Sequence, residues 1–222
     1  MDFADARKVL ERVYAKKNDV TVVAATKTVP ADVMNQIESE LGIKYVGENR
    51  VQELLSKYED ANLCKTWHFI GQLQTNKVKY IIDKVDLIHS VDRLSLAQEI
   101  EKQATKIGKT QKILLEVNMA GEEAKGGESS ENAISLIEEI SRLPHVRVEG
   151  LMSVLPNLED KSALLGYYKK LYSLFEEVKR AHIPETDIKT LSAGMSGDWE
   201  MAIDNGANMI RLGSILFGKR VY

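Results

Sequence analysis

Eight short, apolar, β-rich runs alternate with longer helical patterns from one end of the chain to the other, and this alternation constrains the fold more than any other feature. The runs are Val20–Ala25, Lys44–Gly47, Thr66–Ile70, Leu87–Val91, Lys112–Asn118, Val146–Val154, Lys189–Ser192 and Met209–Leu212. Strands separated by helix-length segments pair in parallel, because a parallel crossover needs a dozen or more residues. Between them, Leu164, Tyr168, Leu171, Phe175 and Val178 step by 4, 3, 4 and 3, which lays one apolar stripe along a helix. Leu94, Ala97, Ile100, Ala104 and Ile107 are expected to do the same. An amphipathic helix, MDFADARKVLERVYAKK, precedes the first strand. Eight strands in 222 residues suit a closed α/β barrel, a (β/α)8 TIM barrel spanning 1–222 as one domain, better than an open doubly wound sheet.

Composition narrows the setting. A formal net charge of −3 gives no global basic field to draw nucleic acid or an anionic membrane. No apolar stretch approaches the ~18 residues of a membrane span, and the acidic first helix reads as neither signal peptide nor anchor. The single cysteine, Cys64, excludes an intrachain disulfide and suggests a reducing, cytoplasmic location. The four histidines, His68, His89, His145 and His182, are scattered without ligand spacing, so no metal is expected and each reads as a core or surface residue. The polar, Gly-rich segment 120–130 reads as a mobile loop, with Lys125 as a solvated loop lysine.

In a parallel barrel, chemistry gathers where strands run into helices. Lys27 closes the apolar run VTVVAAT, where burial disfavours an ammonium and favours a nucleophilic amine. Ser192-Ala-Gly-Met-Ser-Gly-Asp198 precedes a helix, and its small residues let backbone N–H groups approach an anion. Gly213 and Ser214 complete that cradle from the neighbouring strand. Arg211 lies inside the apolar run NMIRLG, where a buried guanidinium needs an acceptor and is placed to face a pyridine nitrogen. Each part has a plain structural account when read alone: a snorkelling lysine, a capped turn, an internal ion pair. Their meeting on strands one, seven and eight, adjacent once the barrel closes, is the pattern of a pyridoxal phosphate site.

At these residues the chain resembles the pyridoxal phosphate homeostasis protein family, whose fold is similar to the N-terminal barrel of alanine racemase. The matching stretches are AATKTVP at 24–30, VGENRVQE at 46–53, WHFIGQLQTNK at 67–77, HSVDR at 89–93, LLEVNMAGEEAKGG at 114–127, VEGLMSV at 148–154, LSAGMSGDWEMAI at 191–203 and IRLGSILFG at 210–218. The resemblance implies pyridoxal 5′-phosphate held as a Schiff base on Lys27, with Asn49 near the ring and Met152 and Ser153 lining the site. It places Ser192, Gly194, Met195, Ser196 and Gly213, with Ser214 beside them, around the phosphate, and Arg211 at the pyridine nitrogen. His68, Asn76 and Lys77 match the third-strand motif. The chain departs from the family pattern at Val29, Gln72, Ala193 and Gly197, and in the Leu155-Pro-Asn continuation of the sixth strand.

Racemisation needs an acid/base group on each face of a planar intermediate. In alanine racemase the opposing tyrosine comes from a second domain, and this chain stops at Phe217-Gly-Lys-Arg-Val-Tyr222, just past the eighth strand. The expected function is therefore a non-catalytic carrier in vitamin B6 homeostasis. Its expected partners are pyridoxal phosphate, other B6 vitamers and cofactor-requiring apo-enzymes, with the chain acting as a monomer. A weak amino-acid racemase and a cofactor-free Schiff-base lyase are the alternatives.

Overall fold

The computed structural model describes residues 3–60, 66–122 and 126–218. Cys64 and Lys125 lie outside the described residues. The chain order is α1 (Ala4–Lys16), β1 (Thr21–Ala25), α2 (Ala31–Leu41), β2 (Tyr45–Glu48), α3 (Val51–Tyr58), β3 (Thr66–Phe69), a 3₁₀ helix (Thr75–Tyr80) and β4 (Leu87–Val91). There follow α4 (Leu94–Lys106), β5 (Gln111–Glu116), α5 (Ala133–Ile140), β6 (Val146–Met152), α6 (Lys161–Arg180), β7 (Thr190–Ser192), α7 (Trp199–Asp204), β8 (Met209–Leu212) and α8 (Ser214–Phe217). The eight strands pair in sequence order and β8 closes on β1, all in parallel, so the expected TIM barrel with its preceding helix is what forms. Closure sets Val23 opposite Arg211, which brings the first and last strands' loops side by side.

Two apolar layers hold it. The larger lies between the sheet and the helices; the smaller fills the barrel with Val23, Ile70, Leu87, Leu114, Met152 and Met209. On α6 the stripe Leu164, Tyr168, Leu171, Phe175 and Val178 is buried as the spacing predicts, and Asp160 caps the helix by accepting from the Ser162 and Ala163 N–H groups. On α4 the stripe is rotated from the one expected. Leu96, Ala97, Ile100, Gln103 and Ala104 are buried, while Ile107 caps the helix at 48% exposure and Leu94 is only half-buried. Gln103 takes an inward position because its amide nitrogen finds the Glu99 carboxylate one turn back. Strand ends shift by a residue or two from the sequence reading. The end of β1 at Ala25 is the expected one, and Lys27 stands in the turn beyond the sheet, half-buried rather than enclosed.

Among the described residues no helix is long and apolar enough to cross a membrane, and no group of three or more histidine, cysteine or acidic side chains is placed to hold a metal ion.

Candidate functional site

The C-terminal mouth of the barrel opens into a cleft of about 690 Å³ lined by Ala25, Lys27, Asn49, Ile70, Val154, Met195, Ser196, Gly197, Arg211, Gly213 and Ser214. Lys27 comes from the turn after β1. The next residue, Thr28, has φ of 63°, a left-handed conformation that a β-branched side chain adopts only when its surroundings hold it. Those surroundings are α3: Glu53 accepts the Thr28 N–H, and Lys57 donates to the Thr26 carbonyl at 2.8 Å. Lys57 also bridges Glu53 at 2.9 Å and the fully buried Glu48 at 2.8 Å, and Thr26 Oγ1 donates to Glu48 at 2.7 Å. Burial pushes the Glu48 carboxyl up, against the pull of the Lys57 and Thr26 hydrogen bonds. The turn that carries Lys27 is thus propped by a buried ion cluster that local sequence did not reveal.

Asn49 follows β2 and is set by close packing. A Cβ on Gly71 would lie 2.2 Å from the Asn49 carbonyl oxygen, so only glycine lets the two loops touch there.

Arg211 enters from β8 and is 4% exposed. Its NH1 donates to the Ser192 carbonyl at 3.0 Å and to Ser192 Oγ at 2.7 Å, and its NH2 donates to the Ser153 carbonyl at 2.9 Å. No carboxylate among the described residues lies within ion-pair distance of it, against the internal ion pair that one reading of the sequence allowed. Three such bonds leave two of the five guanidinium N–H donors uncommitted on a side chain that borders the cleft.

The turn Met195–Asp198 and the start of α8 face each other across the cleft floor. Ser196 Oγ accepts from the Gly213 N–H at 3.2 Å and from the Ile215 N–H at 3.3 Å, so two main-chain donors already converge on one oxygen. The N–H groups of Ser196, Gly197 and Ser214 have no acceptor among the described residues. Unpaired backbone donors bordering a cleft, at the amino end of a helical turn, form an anion-binding concavity.

Of the residues proposed from sequence, Lys27, Asn49, Met195, Ser196, Arg211, Gly213 and Ser214 line this cleft, and Met152, Ser153, Ser192 and Gly194 do not. The latter four lie beneath it. Met152 packs in the barrel interior, Ser153 Oγ donates to the Val117 carbonyl at 2.8 Å, and the fully buried Ser192 hydroxyl holds Arg211. Gly194 has φ of +91°, and a Cβ there would sit 2.5 Å from Ala202, so it brings α7 against the sheet. Asn76 and Lys77 fall on the 3₁₀ helix, outside the cleft.

Two histidines expected to be scattered meet in the interior. His89 Nε2 and His68 Nδ1 are 3.0 Å apart, and His89 Nδ1 is 3.2 Å from Ser192 Oγ, so a polar chain runs from β3 to Arg211. Burial holds His68 down to about 4, and burial with the neighbouring His68 and Arg211 holds His89 well below its ordinary range. Both rings are neutral at neutral pH. The signal was available in strand alternation: TWHF and LIHSV each place histidine inward on neighbouring strands. Glu116, 7% exposed at the end of β5, is pushed up to about 7 by burial and the Asp92 charge, against the pull of Arg211.

Comparison with known proteins extends this picture. The sequence profile of the alanine racemase N-terminal domain matches residues 4–221. The pyridoxal phosphate homeostasis protein of Aquifex aeolicus is 46% identical over 217 residues, covering 97% of this chain and 94% of that protein. Its counterpart in Vibrio alginolyticus is 37% identical over 91% of this chain and 88% of its own length. Among solved structures, PipY of Synechococcus elongatus with pyridoxal phosphate bound superposes with a TM-score of 0.87 at 29% identity, over 96% of this chain and 99% of PipY. An alanine racemase from Clostridium difficile superposes at a TM-score of 0.78 with 17% identity, a likeness of fold alone; 98% of this chain covers 57% of that one. The chain therefore belongs to the alanine racemase N-terminal domain family and, within it, to the pyridoxal phosphate homeostasis proteins.

Proposed function

We propose that this protein is a carrier of pyridoxal 5′-phosphate in vitamin B6 homeostasis, with Lys27 as the covalent anchor and residues 1–222 acting as one binding domain. The observation that carries this reading is the meeting, in one cleft, of a primary amine, a fixed guanidinium and uncommitted main-chain N–H donors. That donor set fits the cofactor group by group. When bound, pyridoxal phosphate supplies an aldehyde that captures amines reversibly. Lys27 is the amine at the cleft wall. The Ser196, Gly197 and Ser214 N–H groups, with the Ser196 hydroxyl, suit a phosphate. Arg211 suits a neutral ring nitrogen, because a guanidinium donates a hydrogen bond without surrendering its proton. Ser192, Ser153 and Gly194 act one layer deeper, holding Arg211 and the phosphate turn in place.

The lining favours carriage over catalysis. Its titratable members, among the described residues, are Lys27 and Arg211. Moving a proton on and off two faces of a carbon needs a donor on each face, and the lining offers one such group beside an arginine that stays charged. The partners this reading assigns are pyridoxal phosphate, other B6 vitamers and the apo-enzymes that receive the cofactor, with a cytoplasmic monomer as the working form.

Borohydride reduction of the protein after incubation with pyridoxal phosphate, followed by peptide mass mapping, tests the reading. A phosphopyridoxyl mark on Lys27, absent in Lys27→Ala, is the expected result, with amino-acid racemisation at background. An unmodified Lys27 overturns it, and reductive trapping of a phosphorylated sugar there would favour a cofactor-free lyase.

A further inference from the structure

We infer that Tyr168, which does not touch the cleft, is a positioning residue for phosphate recognition: it holds the Asp198 carboxylate out of the cradle and so sets the turn Met195–Asp198. The inference rests on the carrier reading above. Tyr168 projects from the middle of α6, 2% exposed, and its hydroxyl donates to Asp198 Oδ2 at 2.7 Å. The other carboxylate oxygen, Oδ1, accepts the Met195 N–H at 2.6 Å. The turn is closed from the other side by the Asp198 and Trp199 N–H groups, which reach the Met195 carbonyl at 3.1 and 3.0 Å. Both Asp198 oxygens are therefore committed, one to α6 and one to the first N–H of the turn. The next two N–H groups, those of Ser196 and Gly197, are left without an acceptor and border the cleft.

The electrostatics explain why such a clamp is needed. A carboxylate within two residues of a phosphate cradle is the wrong charge in the right place. Released, it competes for the same N–H donors and repels an incoming dianion. Tyrosine suits the task because its hydroxyl keeps its proton: burial and the Asp198 charge both push it above its ordinary range. It remains a donor across the physiological range. No residue of the cleft lining duplicates this hydrogen bond to Asp198 Oδ2 among the described residues.

The test compares pyridoxal 5′-phosphate with pyridoxal, which has the same ring and aldehyde and no phosphate. Full-length wild type and Tyr168→Phe are titrated with each ligand by absorbance, and the ratio of the two dissociation constants is the readout. The expected result for Tyr168→Phe is an affinity for pyridoxal phosphate about tenfold weaker, in line with the loss of a hydrogen bond to a charged group, with pyridoxal affinity unchanged. A purely structural role weakens both ligands together and leaves the ratio alone, which overturns the inference. Tyr168→Phe combined with Asp198→Asn strands no charge and keeps an acceptor for the Met195 N–H, so it remains testable even where the single variant folds poorly. It should restore the wild-type ratio; a ratio still lowered about tenfold also overturns the inference. Failure of the carrier reading has a different signature: wild type itself shows no preference for the phosphorylated ligand and no mark on Lys27.

Discussion

Lys57 and Arg211 are both buried cations, 8% and 4% exposed, but the molecule compensates them in opposite ways. Lys57 lies between the sheet and α3 and spends its charge inside the protein, on Glu48, Glu53 and the Thr26 carbonyl. Arg211 lies inside the barrel and is held by two carbonyls and a hydroxyl, with no carboxylate in ion-pair reach among the described residues. A cation matched by anions is an internal strut. A cation held by neutral acceptors is fixed in place while its charge and spare donors remain available to a ligand, at a higher cost of desolvation. Burial is pulling Arg211 below its ordinary range, against the Glu116 and Asp198 charges, and this records that cost. The distinction separates prop from site more sharply than burial or residue type.

The contrast is most easily broken at Lys57. Lys57→Met leaves Glu48 and Glu53 without their cation, and Glu48 Oε2 already lacks a partner. A loss of ~3–5 kcal/mol is expected in urea unfolding; a loss under ~1 kcal/mol would show that the cluster is no strut.

The interior polar chain gives the next largest effect, through pH. His68 titrates near 4 in the folded protein against an ordinary 6.5, so the folded state binds fewer protons. Its contribution is present above 6.5 and is lost as pH falls toward 4, a cost of roughly 3 kcal/mol, with His89 acting in the same direction. Glu116, near 7 against 4.5, works the other way: its contribution is full below 4.5 and is lost as pH rises through 7. The two oppose each other over the same window, with Asp86 and Lys112 near His68 and Asp92 and Arg211 near Glu116 as the other charges involved. Glu116→Gln removes one side. Its stability should fall more steeply than wild type's between pH 6.5 and 4, whereas parallel profiles would refute the opposition.

At Arg211 itself, Arg211→Lys keeps the charge and loses the fork that holds Ser192 and the Ser153 carbonyl. It is expected to cost ~2 kcal/mol of stability and to shift the absorbance of bound pyridoxal phosphate. An unshifted spectrum would mean that Arg211 does not meet the ring. The smallest effect belongs to Thr28→Gly, which relieves the left-handed φ held by Glu53. A gain below ~1 kcal/mol in thermal melting is expected, and a destabilised variant would show that the turn is not strained.

These residues also mark how far the sequence could be read. The eight strands and the α6 stripe were legible because their periodicities are local. The α4 stripe was misphased because Gln103 is buried through a side-chain hydrogen bond that hydrophobicity does not register. Lys27, Arg211 and the 192–198 turn stood out as candidates because each is an anomaly within its own segment, and the fold brings Lys27, Arg211 and Met195–Gly197 to one cleft. The His68–His89 contact joins strands 21 residues apart, and Glu48–Lys57 depends on a helix folding back over its own strand. Neither exists until the barrel closes. Ser192 and Ser153, expected to line the site, lie beneath the cleft and hold Arg211, since strand direction decides whether a serine faces the cleft or the arginine behind it.

The cradle at Ser196, Gly197 and Ser214 is made of main-chain N–H groups. Every amino acid except proline supplies that donor, so missense change at Gly197 or Ser214 alters the shape of the cradle without deleting its main-chain donors, whereas change at Ser196 also removes a hydroxyl that holds the Gly213 and Ile215 N–H groups. A Cβ at Gly197 would meet nothing within 4 Å, so a side chain there leaves the main-chain donors in place, while Ala193 sits fully buried behind the turn. Under the proposed carrier role, loss of phosphate binding is expected from proline replacements and from changes in the few side chains that hold the turn's shape, such as Asp198 and Tyr168.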